Sequence, residues 1–194
     1  MSTSLQAHST ILGVVRQANP QEDIRRQRVF AWGVTAMLML CTPLLSQWLT
    51  VVEGRAKAQS KLRRLYRWVC SDLVDVDAYY QPFLALALSG WEGKDVRLAI
   101  DGTSPNGACV VVRLALCFRG RTIPLCWKTF DTRSHSIRFD WYVMVLERGL
   151  QLLPRGCTVT LLGDRGFGHR KLIRWCQQAG WSYALRLKGD STVI

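Results

Sequence analysis

The cleanest alternation of apolar and polar positions in this chain begins at Asp95. Val96, Leu98 and Ile100 alternate with Arg97, Ala99 and Asp101, the period of two that a strand imposes. A turn cluster covers residues 101–107, and residues 108–118 (ACVVVRLALCF) are too rich in β-branched and aliphatic side chains for a surface strand. Arg119-Gly120 predicts a tight turn, and residues 122–127 a third strand. Three consecutive, hairpin-linked strands imply antiparallel pairing. Phe139, Val143, Leu146, Leu150 and Leu153 then recur at threes and fours, which predicts a helix ended by Pro154-Arg155-Gly156. Residues 157–163 read as a fourth strand. Residues 169–179 read as a second helix with Leu172, Trp175, Cys176 and Ala179 inward and Gly180 as its C′ residue, and residues 181–187 as a fifth strand.

Ahead of Asp95 the pattern is helical. Residues 1–19 are polar and lack the basic start and apolar core of a signal peptide. Pro20-Gln21-Glu22-Asp23 resembles a helix start with acidic residues in its first turn. From Val29 to Val52 no residue is charged, a length that would cross a bilayer. Thr35, Thr42, Pro43, Ser46, Gln47 and Thr50 divide that run, so helices over 25–41 and 43–52, forming a buried hairpin, are favoured over a membrane span. Between Gly54 and Ser71 lie Arg55, Lys57, Lys61, Arg63, Arg64 and Arg67 with no acid, while Leu62, Leu65, Trp68 and Val69 recur on another face. A short helix, a tight break and a basic amphipathic helix resemble a helix-turn-helix module, whose basic residues would mostly touch phosphates. A further helix around 79–88 ends at Ser89-Gly90. With Trp91-Glu92-Gly93-Lys94 this marks the expected boundary between a basic helical region, 1–92, and a second domain, 93–194.

Composition adds a partner. The chain has 194 residues, 48% of them hydrophobic, enough for a core. Its 26 Lys and Arg against 14 Asp and Glu give a net charge of +12, which favours a polyanion, nucleic acid before an acidic membrane surface. Seven cysteines without a CxxC pair read as small core residues of a reducing cytoplasm, not as a disulfide framework or a zinc site.

The chemistry centres on two aspartates. Leu98-Ala99-Ile100-Asp101 and Leu161-Leu162-Gly163-Asp164 are both apolar runs that end on a carboxylate and break into glycine. Three strands, a helix, a strand, a helix and a strand is the element order of an α/β, RNase H-like mixed sheet flanked by helices. In such a sheet the first and fourth strands are neighbours, so Asp101 and Asp164 would come within reach of a shared metal ion.

Four motifs carry a resemblance to a known family. They are residues 98–103 (LAIDGT), Ile123-Pro124-Leu125-Cys126-Trp127, Leu162-Gly163-Asp164-Arg165-Gly166-Phe167, and residues 183–189 (YALRLKG). Together with the basic Arg63-Arg64-Leu65-Tyr66-Arg67 they resemble the DDE transposases of bacterial insertion sequences. The resemblance implies Asp101 and Asp164 as catalytic metal ligands, Mg²⁺ or Mn²⁺ as cofactor, and no small-molecule cofactor. It implies Arg165 and Lys188 as further DNA contacts beside the N-terminal basic set. It also implies double-stranded DNA, as transposon ends and target, for a partner, a homodimer on paired ends, and a cytoplasmic, nucleoid-associated location. The family's third acid, a Glu in a Tyr-x-x-x-Glu-x-x-x-Lys pattern, has no counterpart here, and Glu147 falls on the crossover helix. The expectation is therefore a truncated copy without strand transfer of its own. Two other readings stand beside it: a catalytically inactive DNA-binding remnant that regulates transposition, and a small membrane-associated protein.

Overall fold

The computed structural model describes residues 3–52, 54–132 and 138–186. The chain divides into two compact units, Met1–Ala87 and Leu88–Ile194.

The first unit is helical: α1 (Thr3–Ala18), α2 (Ile24–Leu40), α3 (Leu45–Trp48), α4 (Ala58–Val69) and α5 (Val76–Ala87). α1 is an element that the polarity of residues 1–19 conceals. It buries only Ile11 and Val15, one turn apart, so its apolar stripe is narrow. Glu22 and Asp23 precede α2 and do not lie in its first turn. Asp23 is the N-cap, its carboxylate accepting from the Arg25 N–H at 2.8 Å, and Glu22 pairs with Arg26. α2 stops where Cys41 takes a left-handed conformation, φ 51°, and its N–H closes on the Met37 carbonyl. The charge-free run is thereby cut, and no helix among the described residues is long and apolar enough to cross a membrane. α3 is a single turn, not a helix over 43–52. Residues 49–57 then separate it from α4, far more than the tight break expected, because Trp48 and Val52 are drawn into a cluster with Val29 and Leu65.

The second unit is a five-stranded mixed sheet with helices. Its elements are β1 (Asp95–Thr103), β2 (Val110–Phe118), β3 (Arg121–Phe130), α6 (Phe139–Leu152), β4 (Thr158–Gly163), α7 (Arg170–Gln178) and β5 (Ser182–Leu185). The strand order is β3-β2-β1-β4-β5. β1 pairs antiparallel with β2 and β2 with β3, whereas β1–β4 and β4–β5 are parallel. This is the α/β, RNase H-like arrangement of the strand order read from the sequence. Arg119 and Gly120, φ 48° and 75°, make the two-residue turn whose twist suits a hairpin. Pro124 falls on the edge strand beside the bulge at Leu114/Ala115, where a missing N–H disturbs the ladder least. α7 ends in a Schellman motif, with Gly180 N–H on the Gln177 carbonyl and Trp181 N–H on that of Cys176.

α6 packs on β2 and β3, and its buried stripe is Tyr142, Val145, Leu146 and Gly149. Of the residues expected inward, Leu150 is 47% exposed. The helix is turned because it lies very close to β2: a Cβ on Gly149 would stand 2.3 Å from Leu114 Cδ2. Val96, Leu98, Ile100, Val112, Leu114 and Leu161 form the core beneath it. The cysteines are all free, yet only Cys126 and Cys176 are buried, while Cys41 and Cys70 are exposed. Burial pushes the Cys176 thiol up to about 11.

Candidate metal and nucleic-acid site

Asp101 and Asp164 reach the same end of the sheet by register. Ile100 and Gly163 are partners across the parallel β1–β4 ladder, so each aspartate is the next residue after that rung on neighbouring strands. Ile100, buried on the α6 side, turns Asp101 to the opposite face by the alternation of the pleat. Both carboxylates are exposed.

Asp101 has a neighbour that sequence reasoning missed. Arg113 is its partner on β2, and the Arg113 Nη2 lies 3.4 Å from Asp101 Oδ2, an oxygen that the Thr103 hydroxyl also approaches at 3.4 Å. Both contacts are long and both partners half exposed, so the pair stabilises by at most about 1 kcal/mol. The signal available was that Arg113 alone is charged within an otherwise apolar eleven-residue run, 108–118.

Asp164 begins a compact loop. Its Oδ1 accepts from Gly166 N–H at 2.8 Å and its carbonyl from Phe167 N–H at 3.1 Å. That leaves Oδ2 without a donor among the described residues. Phe167 is buried and folds back under Gly163, where a Cβ would come within 3.0 Å of the Phe167 Cβ and 2.9 Å of Leu185 Cδ2. Glycine at 163 therefore permits the close turn that delivers Asp164.

Behind the loop stand Tyr142, Phe167 and His169. The Tyr142 ring centroid is 4.8 Å from that of Phe167 and 6.1 Å from that of His169. Burial, and next the Asp164 charge, push the Tyr142 hydroxyl above its ordinary range. His169 is the N-cap of α7: its Nδ1 accepts from Leu172 N–H at 3.3 Å. Burial, and next Lys171, lower its pKa. The unfolded chain thus binds the His169 proton more readily, so this contribution is complete above the ordinary value of 6.5 and shrinks as pH falls through 6.5 toward the lowered value. The melting temperature should drop between about pH 7 and pH 5 more in the native protein than in His169→Asn, which keeps an N-cap acceptor that cannot charge. Equal drops in thermal melts of the two proteins would remove this role.

The remaining basic candidates separate by partner. Arg165 is exposed beside Asp164 and makes no ion pair among the described residues. Lys188, with the end of the 183–189 motif, lies outside the described residues. In the first unit Arg55, Lys57, Arg63, Arg64 and Arg67 are exposed, with Leu65 buried behind α4. Val69, expected on the apolar face, is 55% exposed. Lys61 is half buried and donates to the Val52 carbonyl at 2.7 Å, which ties it to the loop before α4.

The donor set suits a hard cation. Mg²⁺ takes oxygen ligands, keeps several waters, and is commonly held by one or two carboxylates together with substrate phosphates. Two exposed carboxylates at adjoining strand ends fit that description, and Asp101 and Asp164 are the residues that would hold it. Among the described residues no group of three or more His, Cys, Asp or Glu is placed to hold a metal.

No curated protein matches the chain. Residues 112–194 match the family model described as transposase DDE domain. That span includes Asp164 and begins after Asp101, and over it the chain is similar to the DDE transposases.

Proposed function

We propose that this chain acts as a transposase of the bacterial insertion-sequence type, binding double-stranded DNA and cutting its strands with Mg²⁺ or Mn²⁺. Joining them would need the family's third carboxylate, which has no counterpart in this sequence. The observation that carries the reading is the Ile100–Gly163 rung, which brings two carboxylates to adjoining strand ends in a transposase-type sheet. The chemistry that bound divalent ions supply at such a site is activation of water or a DNA 3′-hydroxyl and stabilisation of the departing oxygen. Asp101 and Asp164 provide the negative oxygen ligands, Arg113 steadies Asp101, and the Gly166 N–H orients Asp164. Arg165, exposed beside Asp164, would meet a scissile-strand phosphate. A cytoplasmic, nucleoid-associated protein, working as a dimer on paired ends, accords with this activity.

Nicking of supercoiled DNA in Mg²⁺, Mn²⁺ or EDTA tests the reading. Metal-dependent nicks support it, and nicking that EDTA leaves unchanged would refute it. Binding is tested separately. Neutralising Arg55, Lys57, Arg63 and Arg67 should weaken duplex binding and lower the log–log salt slope by about 0.9 for each phosphate that is no longer neutralised. An unchanged slope in an anisotropy titration would exclude this surface from the interface. A second reading, a DNA-binding protein that occupies transposon ends without cutting them, is favoured by the Arg113 pairing, which already engages an Asp101 oxygen.

A further inference from the structure

Between α2 and α4, wholly within the first unit, lies an open cleft of about 640 Å³. Val29, Trp32 and Trp68 form its apolar floor, and Arg28, Arg64 and Arg67 stand around it. Two other arginines at this cleft are already matched by acids, Arg25 by Asp23 at 2.8 Å and Arg26 by Glu22. Arg28, Arg64 and Arg67 have no carboxylate partner among the described residues, and all three are exposed. The exposed Arg64 guanidinium lies over the Trp32 ring, 5.6 Å from its centroid, a place that a base would take as the guanidinium turns to a phosphate.

Uncompensated guanidiniums around an indole floor answer to a ligand that is anionic at its edge and flat and apolar at its centre. A nucleotide has both. In duplex DNA the base faces are stacked on one another, so a duplex would meet the arginines and leave the floor wet. An unpaired base has a free face for an indole, while its phosphates reach the arginines.

We propose that the α2–α4 cleft binds single-stranded DNA, with phosphates on Arg28, Arg64 and Arg67 and an unstacked base against Trp32 and Trp68. This rests on the DNA-binding reading of the first unit, adds the form of DNA preferred, and brings α2, through Arg28 and Trp32, into the interface.

The test uses the full chain, a short labelled single strand, a duplex of equal length, and a single strand carrying 2-aminopurine. Stacking on an indole should quench the 2-aminopurine on binding to the native protein. Trp32→Leu, which removes the stacking face and leaves the arginines in place, should lower single-strand affinity about tenfold more than duplex affinity. Arg55→Gln with Lys57→Gln, away from the cleft, should lower both alike, and melting curves confirm that each variant is folded. The proposal is overturned by absent quenching, by equal loss for both DNA forms in the cleft variant, or by polyglutamate displacing the strand as well as DNA does. If the native protein binds single strands through the cleft and no duplex, the duplex-binding reading fails and the cleft assignment stands. If duplex binds normally and quenching is absent, the reverse holds.

Discussion

Asp164→Asn should abolish metal-dependent nicking and most of the stabilisation that Mn²⁺ gives to folding. The substitution keeps the shape of the side chain and the acceptor for Gly166 N–H, so the loop of residues 164–169 should remain in place. What it removes is one negative oxygen from a site that has two exposed carboxylates and no larger acidic group among the described residues. Losing a partner that merely orients a ligand costs about 10–100-fold in metal affinity, and loss of a ligand itself should cost at least that. Asp101→Asn should behave alike, because the two residues extend the same rung. Arg113→Gln should act in the opposite sense on binding, tightening Mn²⁺, since it withdraws a positive charge 3.4 Å from Asp101 Oδ2. Thermal melts across a Mn²⁺ titration check all three. Undiminished stabilisation in Asp101→Asn and Asp164→Asn would dispose of the shared metal site.

Leu161→Ala should destabilise the second unit by about 2–5 kcal/mol. Leu161 is fully buried in β4, between Leu98 of β1 and Tyr183 of β5, and its side chain lies in the core under the helices. Against a total of about 5–15 kcal/mol this is a large loss. At about 4–8 °C per kcal/mol for a domain of this size, the transition should move by tens of degrees at the upper end. Leu150→Ala removes the same atoms from a position 47% exposed on α6 and should change stability by about 0.5 kcal/mol or less. Calorimetry of the two variants decides the matter, and equal effects would mean that α6 packs by Leu150 after all.

That pair of leucines also shows where pattern reading works. Strand order, hairpin turn and the Gly180 cap were legible because each depends on local chemistry: alternation along β1, Arg119-Gly120 with positive φ, and a glycine beyond the last turn of α7. The face of α6 was not, because six apolar residues adjoin in it, 141–146 (WYVMVL), and the choice between neighbouring stripes is made by Gly149 meeting Leu114 from another element. α1 is hard to read because a helix that buries only Ile11 and Val15 leaves little periodic signal. The tight turn expected before α4 is absent because Trp48 and Val52 are held by a cluster formed with distant Val29 and Leu65. At the site, Asp101 and Asp164 were readable as strand-end acids. Arg113 and Tyr142 became visible only through cross-strand register and helix packing, which no spacing within one segment records.

The β1–β4 ladder has a kinetic consequence. β1, β2 and β3 meet through short turns, but Asp95 must find Thr158 across about a third of the chain before β4 can pair. Such distant pairing is slow relative to hairpin closure, and it cannot begin during synthesis until β4 has emerged. Asp164 enters register only at that step. In a refolding time course, the signal of hairpin formation should rise first, and the capacity to respond to Mn²⁺ should appear with the later phase.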